Sequence, residues 1–343
     1  MKRRMLVWLL ALCLLPLGGW AESSAAEWFT GTGEVYNSLG EHFSYEIEED
    51  HAVLTQYRVD SDKPQPARVI MPDTLGGKPL TSIGVCAFTN FDQEYDGDQV
   101  ECIVLPEGVT ELQDGAFECA HGIQGIELPS TLERVPTHDP FHHVDAEISF
   151  PNGNPFYKVE DGFLIDTRTD ALIYCNPSAY TLPLPRVRRI EDSALSNYSY
   201  RQEILEFPDS VEYIGPYNAD DCVNLKKIIV PCSVIELADH ALSFNSAEEI
   251  ILNEGLQKIG SEALIETCVQ RLTIPYTVTW IGYWTTDFLY DELWRDPDFW
   301  NNEDEEEEDD DPEDAEEYGL TVLNPNVHWE TEEEYEERTG NNP

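Results

Sequence analysis

Alternating carboxylates at positions 92 to 98 are of the residue type that calcium prefers. Asp92, Glu94, Asp96 and Asp98 alternate with other residues around a central glycine, and Ca²⁺ takes oxygen ligands from such side chains. The twelfth position of a calcium loop normally supplies a bidentate glutamate, but here that position is Ile103. The four carboxylates are therefore candidate ligands for a weak calcium site, and a plain loop between repeats is the competing interpretation.

A second cluster, at residues 138–143, contains imidazoles and a carboxylate. His138, Asp139, His142 and His143 are of the types that bind zinc. However, Pro140 favours a turn, and the spacing provides no pair of ligands four residues apart on a helix. We interpret this stretch as an ordinary loop and predict no confident metal site.

Aromatic residues are concentrated at residues 280–300. The candidate partner-binding rings are Trp284, Tyr290, Trp294 and Trp300. Exposed rings of this kind form a platform for a sugar or a peptide. The spacing of Trp280, Trp284 and Phe288 is also that of one helical face. The competing interpretation is therefore a capping helix over the last rungs, and we assign residues 284–302 to an aromatic-rich capping segment.

Two stretches near the C-terminus are strongly acidic. Residues 303–317 contain 13 acidic residues out of 15, and six more lie within residues 330–337. Like charges repel, so we predict a solvated acidic insertion at 303–317 and a solvated acidic tail at 330–343. Such a run would function as a low-affinity Ca²⁺-binding segment or as a patch that binds cationic partners. Residues 318–329, between the two stretches, have the pattern of a returning strand and are predicted to form a final rung.

The overall charge restricts the class of partner. The chain has 68 acidic and 20 basic residues among 343, a formal net charge of −48, which opposes nucleic acid and anionic membranes. The expected partner is a basic or cation-bridged protein or glycan. Because no nucleophile motif or phosphate-binding glycine loop occurs, we predict neither an enzyme nor a bound cofactor beyond weak Ca²⁺.

The N-terminus has the pattern of a secretory signal. Basic residues at positions 2–4 precede an apolar run too short to span a bilayer, and small residues follow at the predicted cleavage point after Ala21. We predict a signal peptide at 1–21 and a flexible segment at 22–42. We expect no membrane insertion after cleavage, and a secreted, extracellular protein that is associated with the cell surface.

Cysteine usage leaves the redox state open. Outside the predicted signal peptide there are seven cysteines: Cys86, Cys102, Cys119, Cys175, Cys222, Cys232 and Cys268. An odd number cannot all pair within one chain, and no C-x-x-C pair occurs. We expect most of them to be small core residues, while one or two disulfides remain open in an exported protein.

A repeat is the strongest signal in the chain. An apolar–polar–apolar triplet is followed by a proline in several copies, at Pro106, Pro129, Pro208, Pro231 and Pro275. Asn253 replaces proline in one copy, so that the interval from Pro208 onward is 23, 22 and 22 residues, and Pro106 to Pro129 is again 23. Such a period predicts a solenoid, because one unit cannot bury its own apolar face and must stack on the next.

Each unit can be interpreted physically. The triplet predicts a short strand with alternate side chains inward, and proline ends the pairing because it has no N–H. Apolar residues three and six positions later predict a second inward ledge, and Ala-Phe or Ala-Leu follows. A hairpin at 43–68 is expected to cap the first rung and to protect its edge. We therefore place the solenoid at 69–283, built mostly of short β-strands and loops, with a cap at each end.

The phrase I-x-[LIV]-P-x-x-V-x-x-I-x-x-x-A-F resembles the BspA-type leucine-rich repeats of bacterial surface proteins. Residues 69–88 resemble the usual first repeat of this family, and residues 154–177 are similar to its longer β-hairpin repeats. The resemblance covers about residues 43 to 283, with a last rung near Leu320 to Val327. The chain departs from the pattern at Asn253, at Pro136–Phe141 and at Asn218-Ala219.

The resemblance implies a secreted or cell-surface protein that mediates adhesion by binding a protein or a glycan, without catalysis. The alternative is a Ca²⁺-dependent structural component of the cell envelope. Stacked strands form a long rigid surface, which suits recognition.

Overall fold

The computed structural model describes most of the chain. The described residues are 28–31, 33–60, 62–64, 66–88, 100–118, 120, 122–136, 140–141, 144–180, 182–199, 201–220, 222–285 and 320–340. The predicted signal peptide at 1–21 and the predicted acidic insertion at 303–317 lie outside these ranges.

An antiparallel sheet covers the N-terminal end. Its strands, in chain order, are β1 (Trp28–Thr30), β2 (Glu34–Asn37), β3 (Glu41–Glu48) and β4 (His51–Val59). Strands β3 and β4 form the hairpin expected over the first rung. The prediction of a flexible segment at 22–42 is wrong for residues 34–42, because β2 pairs with β3 and Val35 is buried.

Two kinds of strand then alternate along the first stack of rungs. The face strands carry the triplets and pair in parallel: β5 (Arg68–Ile70), β8 (Cys102–Val104), β10 (Gly125–Glu127) and β11 (Glu147–Ser149). The ledge strands follow the proline turns, with a short antiparallel partner at the start: β6 (Thr74–Leu75), β7 (Lys78–Ile83) and β9 (Glu111–Leu112). The ledge sheet joins the N-terminal sheet because β7 pairs in parallel with β4.

An antiparallel meander separates the first stack from the second. It consists of β12 (Tyr157–Glu160), β13 (Phe163–Asp166) and β14 (Ala171–Cys175), followed by the 3₁₀ helix η1 (Pro177–Ala179). The face sheet ends here, and the Asn176 side chain completes its last strand. The backbone N–H of Ile148 donates to Asn176 Oδ1 at 3.0 Å, and Asn176 Nδ2 donates to the Ile148 carbonyl at 2.9 Å.

The second stack repeats the same arrangement. Its face strands are β16 (Ile204–Glu206), β18 (Lys227–Val230), β20 (Glu249–Leu252) and β22 (Leu272–Ile274). Its ledge strands are β15 (Arg189–Ile190), β17 (Tyr213–Ile214), β19 (Glu236–Leu237), β21 (Lys258–Ile259) and β23 (Trp280–Ile281). A single helical turn, α1 (Ser196–Ser199), follows β15. The ledge sheet of the second stack begins at the meander, because β14 pairs in parallel with β15 through two residue pairs, Ala171–Arg189 and Leu172–Ile190.

The last rung and a helix close the C-terminal end. Strand β24 (Leu320–Val322) pairs with β22, and β25 (His328–Trp329) pairs with β23. Helix α2 (Glu332–Thr339) follows, with a capping box between Thr331 and Glu334 and a left-handed Gly340 at its end. The acidic tail predicted at 330–343 is therefore helical at residues 332–339, and none of the residues of this helix is buried. Acidic residues in the first turn favour the helix, because its N-terminus is the positive end of the helix dipole.

The predicted inward columns form two cores. In the first stack, Phe88, Phe117 and Phe141 stack face to face, with ring centroids 4.6 and 5.8 Å apart. In the second stack, Leu195, Leu242 and Leu264 occupy the same repeat position and are fully buried. The repeat-solenoid architecture predicted from the sequence is confirmed.

Asn218 stands where the repeat normally has alanine. It is fully buried, and its Oδ1 accepts from the backbone N–H of Leu195 at 2.9 Å. Its Nδ2 donates to the carbonyls of Glu191 and Gly215, at 3.0 and 2.9 Å. The departure from the pattern at this rung is thus a hydrogen-bonded clamp between neighbouring rungs.

Candidate binding surface

One turn recurs in every rung of the second stack, three residues after the ledge isoleucine or leucine. The residue there has a positive φ of 50–60° in each case: Ser193, Tyr217, His240, Glu262 and Trp284. Non-glycine residues rarely adopt this left-handed conformation. Ser193 is buried, Trp284 is exposed, and the other three are half-buried. We call Tyr217, His240, Glu262 and Trp284 the turn ridge.

Backbone hydrogen bonds between rungs hold the turn ridge in line. The N–H of Tyr217 donates to the His240 carbonyl at 3.0 Å, and the N–H of His240 donates to the Ser261 carbonyl at 2.9 Å. The N–H of Glu262 donates to the Tyr283 carbonyl, also at 2.9 Å. The next residues, Ala241 and Ala263 in two of the rungs, enter the core, so the turn is fixed on both sides.

The ridge combines rings with carboxylates. The Tyr217 and His240 rings are stacked, with centroids 5.1 Å apart, and His240 Nδ1 lies 3.7 Å from Glu262 Oε2. Burial raises the pKa of Tyr217, and the negative charges of Glu262, Asp220 and Asp192 raise it further. The effect of these charges indicates that the surroundings of Tyr217 are anionic.

A second line of side chains, the ledge column, runs beside the turn ridge. Successive ledge strands place these residues in direct register: Arg189, Tyr213, Glu236, Lys258, Trp280 and His328. The Arg189 guanidinium lies 3.9 Å from the centre of the Tyr213 ring, and Lys258 Nζ lies 4.9 Å from that of Trp280. Lys258 also pairs with Glu236 at 2.8 Å. Cations of the chain itself therefore cover faces of both rings and are neutralised by neighbouring acids.

Helix α2 lies against the C-terminal part of the ridge. The centroids of the Tyr335 and Tyr283 rings are 5.5 Å apart. The pKa of Tyr335 is raised by burial and by the nearby charge of Glu262. Arg338 reaches three rungs at once, because it contacts Asp239, Ser261 and Glu330.

The sequence-predicted candidates are only partly within the described residues. Trp284 lies on the turn ridge with 45% of its surface exposed, and its ring stacks on Tyr283 at 5.3 Å. Tyr290, Trp294 and Trp300 lie outside the described residues, as do the calcium candidates Asp92, Glu94, Asp96 and Asp98. The histidines at 138, 142 and 143 lie outside them too. Within the described ranges, no three or more His, Cys, Asp or Glu side chains form a group that could hold a metal ion.

The structure overturns the helical interpretation of the tryptophan spacing. Trp280 belongs to strand β23, and Trp284 occupies the left-handed turn four residues later. Their spacing is that of the ledge and turn positions of one rung, as in Tyr213 and Tyr217.

The six cysteines of the described residues are distributed between core and surface. Cys175 and Cys222 are buried, Cys86, Cys102 and Cys268 are intermediate, and Cys232 is exposed. The expectation that most cysteines are core residues is thus met by only two of the six described, and none of these six forms a disulfide.

Sequence reasoning missed Tyr217, His240 and Glu262. A signal for them was present: from Ser193 to Trp284 the turn residues recur at intervals of 24, 23, 22 and 22 residues, in step with the repeat. Alignment of the rungs on their inward residues places these side chains in one outward line.

These features define a class of protein: a solenoid of short parallel strands whose rungs share one repeat. The chain belongs to the BspA type leucine rich repeat family. The family model matches six copies over residues 74–139 and 167–287, which together exceed half of the chain. No curated protein matches the sequence.

Solved structures of bacterial leucine-rich repeat proteins are similar to the chain. A leucine-rich repeat protein from Bacteroides ovatus is 19% identical over 70% of this chain, with a TM-score of 0.41, and the chain spans 59% of its length. A Treponema pallidum leucine-rich repeat protein is 20% identical over 65% of this chain and 86% of its own, with a TM-score of 0.32. A leucine-rich cell surface protein from Faecalibacterium prausnitzii is 15% identical over 76% of this chain and 85% of its own, with a TM-score of 0.27.

Among the described residues, no helix is long and apolar enough to cross a membrane.

Proposed function

We propose that this chain is a recognition protein of the cell surface that binds a basic protein partner along the turn ridge. The observation that carries the proposal is the ridge itself, where three aromatic or imidazole rings and one carboxylate from consecutive rungs stand in one line. A rigid scaffold that presents such a line loses little conformational entropy on binding. Membership of a family whose relatives include a protein described as a cell surface protein supports the location.

Electrostatics favour a basic partner. Cations on the ledge column already pair with acids of the same chain, such as Lys258 with Glu236 and Arg189 with Glu191. The net charge of −48 therefore leaves carboxylates in excess. Complementary charge speeds association and is screened by salt.

A protein partner suits the ridge better than a glycan. Sugars stack on open ring faces, but on the ridge one face of Tyr217 is stacked on His240, and one face of Trp284 is stacked on Tyr283. A basic peptide can instead place its cations between carboxylates and ring edges. Adhesion to a neighbouring cell would follow from such binding.

Binding, rather than catalysis, is the activity we propose. The two best-formed depressions of the described surface have volumes of about 360 and 490 Å³. The larger contains the Cys232 thiol with Glu206, Asp209 and Glu254, but no histidine to act as its base. The smaller is lined by prolines and by charged side chains such as Lys158 and Asp161.

A capture experiment tests the proposal. The full chain, the ridge variant Tyr217→Ser/Glu262→Gln and the face-strand control Glu206→Gln are immobilised and exposed to host or neighbouring-cell surface extract. At low salt we expect the parent and the control to retain the same proteins, the ridge variant to lose them, and about 0.5 M NaCl to release them. Retention of nothing at low salt, or equal retention by the ridge variant, would refute the proposed function.

The calcium-dependent envelope role remains the alternative proposal, through the carboxylates at 92–98. A ligand that binds only the folded state raises the melting temperature. Since our main proposal involves no stabilising Ca²⁺ site, we expect the melting temperature to be unchanged at about 1 mM Ca²⁺. A rise that Asp96→Asn removes, while Mg²⁺ has no effect, would favour the alternative.

A further inference from the structure

The guanidinium of Arg338 lies in a site on the solenoid, here called the seat, that is formed by Asp239, Ser261, Trp280 and Glu330. Its Nη1 donates to Asp239 Oδ2 at 2.6 Å, its Nε to Glu330 Oε1 at 2.7 Å, and its Nη2 to Ser261 Oγ at 2.8 Å. The Trp280 ring centre lies 5.8 Å from the guanidinium carbon. Three acceptors on three rungs thus match the fork of donors on one arginine, a geometry that an ammonium group cannot reproduce.

Glu330 forms the floor of this seat. Its side chain is only 2% exposed, and it also accepts hydrogen bonds from the Ser261 hydroxyl and from the backbone N–H of Tyr283 at 3.1 Å. Burial works against the charged form, but the hydrogen bonds from Arg338 and Ser261 outweigh it and lower the pKa of Glu330. A buried carboxylate without a cation is strongly unfavourable. An empty seat would therefore attract a guanidinium.

The acceptors and the cation belong to different parts of the fold. Asp239 and Ser261 follow ledge strands, and Glu330 follows β25 and donates its backbone N–H to the Ile281 carbonyl at 2.8 Å. Arg338 comes from α2, a helix with no buried residue. The helix can therefore detach without opening either core, at the cost of the ring contact between Tyr335 and Tyr283, and the acceptors stay with the rungs.

The seat is continuous with the turn ridge. Asp239 precedes His240, Ser261 precedes Glu262, and α2 lies along this line. The helix thus covers one side of the surface assigned to the partner. From this continuity we infer that the seat is an arginine-binding subsite, which Arg338 occupies until an arginine of the basic partner replaces it and displaces α2. This inference rests on the proposed function and names the residue type that the ridge recognises.

The first test is chemical rescue of Arg338→Ala. We expect the variant to melt at a lower temperature than the parent, and N-acetyl-argininamide at about 10 mM to restore part of the loss, since it binds only the folded form. N-acetyl-lysinamide should restore nothing. The control is Arg188→Ala, which removes an exposed arginine paired with Glu212 at 2.6 Å and should show no rescue. Equal rescue by the lysine compound, or of the control, would overturn the inference.

The second test measures competition by calorimetry with an arginine-containing basic peptide and its lysine counterpart. Arg338→Ala removes the guanidinium that occupies the seat. The arginine peptide should therefore bind this variant at least about tenfold more tightly than it binds the parent. Adding Asp239→Asn should abolish the gain, and circular dichroism checks that each variant is folded. If the arginine peptide binds parent and Arg338→Ala equally, the inference fails even where the parent still captures a partner. If nothing is captured yet rescue occurs, the proposed function fails and the subsite remains.

Discussion

The two stacks use the same repeat but differ in the residue type at the inward position that follows the left-handed turn. In the first stack this position holds a column of rings that includes Phe88, Phe117 and Phe141. In the second stack it holds leucine, and aromatic residues occur instead at or beside the turn, where Tyr217 and Tyr283 are half-buried and Trp284 is exposed.

The left-handed turn also differs between the stacks. The first stack has the small residues Cys86 and Gly115 at this position, whereas the second begins with Ser193 and continues with the larger residues of the turn ridge. The repeat therefore fixes the apolar character of the inward positions and leaves the residue type at the turn free to vary. We interpret the first stack as built for stability and the second for recognition.

The largest effect is expected at the inward rings of the first stack. Phe117→Ala should lower the free energy of unfolding by about 3–5 kcal/mol, because it opens a cavity between Phe88 and Phe141. Phe117→Leu, which imitates the second stack, should lower it by only about 1–2 kcal/mol, the value of the lost ring contacts. Urea unfolding measures both. Equal losses for the two variants would show that stacking is not what distinguishes the first stack.

A smaller loss is expected at the clamp of the second stack. Asn218→Ala restores the residue that the repeat normally has, yet it removes the side-chain partner of the Leu195 N–H and of the Gly215 carbonyl, while the Glu191 carbonyl keeps the Ala194 N–H as a partner. We expect a loss of about 1–3 kcal/mol in urea unfolding. Asn253→Ala is the control: it removes a single bond, from Nδ2 to the Val230 carbonyl, and should lose about 1 kcal/mol or less. A neutral Asn218→Ala would refute the clamp.

The attachment of α2 should depend on pH. Because the folded pKa of Glu330 lies below its ordinary value of about 4.3, ionised Glu330 stabilises the fold above that pH, and this contribution disappears as the pH falls through the folded pKa. The unfolding free energy of the parent should exceed that of Glu330→Gln at pH 7, and the gap should narrow towards pH 3. The gap for Glu206→Gln, an exposed face-strand residue, should stay small throughout. A constant Glu330 gap would contradict the assignment.

The smallest effects are expected at the turn. His240→Gly removes a side chain but relieves the positive φ, so the unfolding free energy should change by less than about 1 kcal/mol. The matched variant Gly115→His in the first stack introduces the strain, and its new Cβ would lie 2.8 Å from Glu118 Oε2. It should lose about 1 kcal/mol or more. Equal changes of the same sign in both stacks would remove the distinction between them at this position.

The architecture was predictable because apolar residues recur in register. One misplaced residue would break a column, so regular spacing at the prolines and at Ala-Phe predicts stacking directly. The face strands, ledge strands and inward rings follow from this pattern.

Other features depend on pairs that are remote in sequence. Helix α2 is acidic and lacks an apolar face, so its composition predicts solvation. Its docking depends on contacts such as that of Arg338 with Asp239, 99 residues away. The spacing of Trp280 and Trp284 was misread because four residues separate the ledge and turn positions just as they separate neighbours on a helix.

The Asn176 side chain has a mechanical consequence. It pairs with Ile148 at the edge of the face sheet through side-chain bonds, so that no described backbone strand continues that sheet into the second stack. Among the described residues, the meander is joined to the second stack by backbone bonds between residues 170–172 and 188–191. A tensile load applied along the solenoid would then converge on this short ladder. Under force the molecule should extend in two steps, parting first between the stacks while each stack keeps its own rungs.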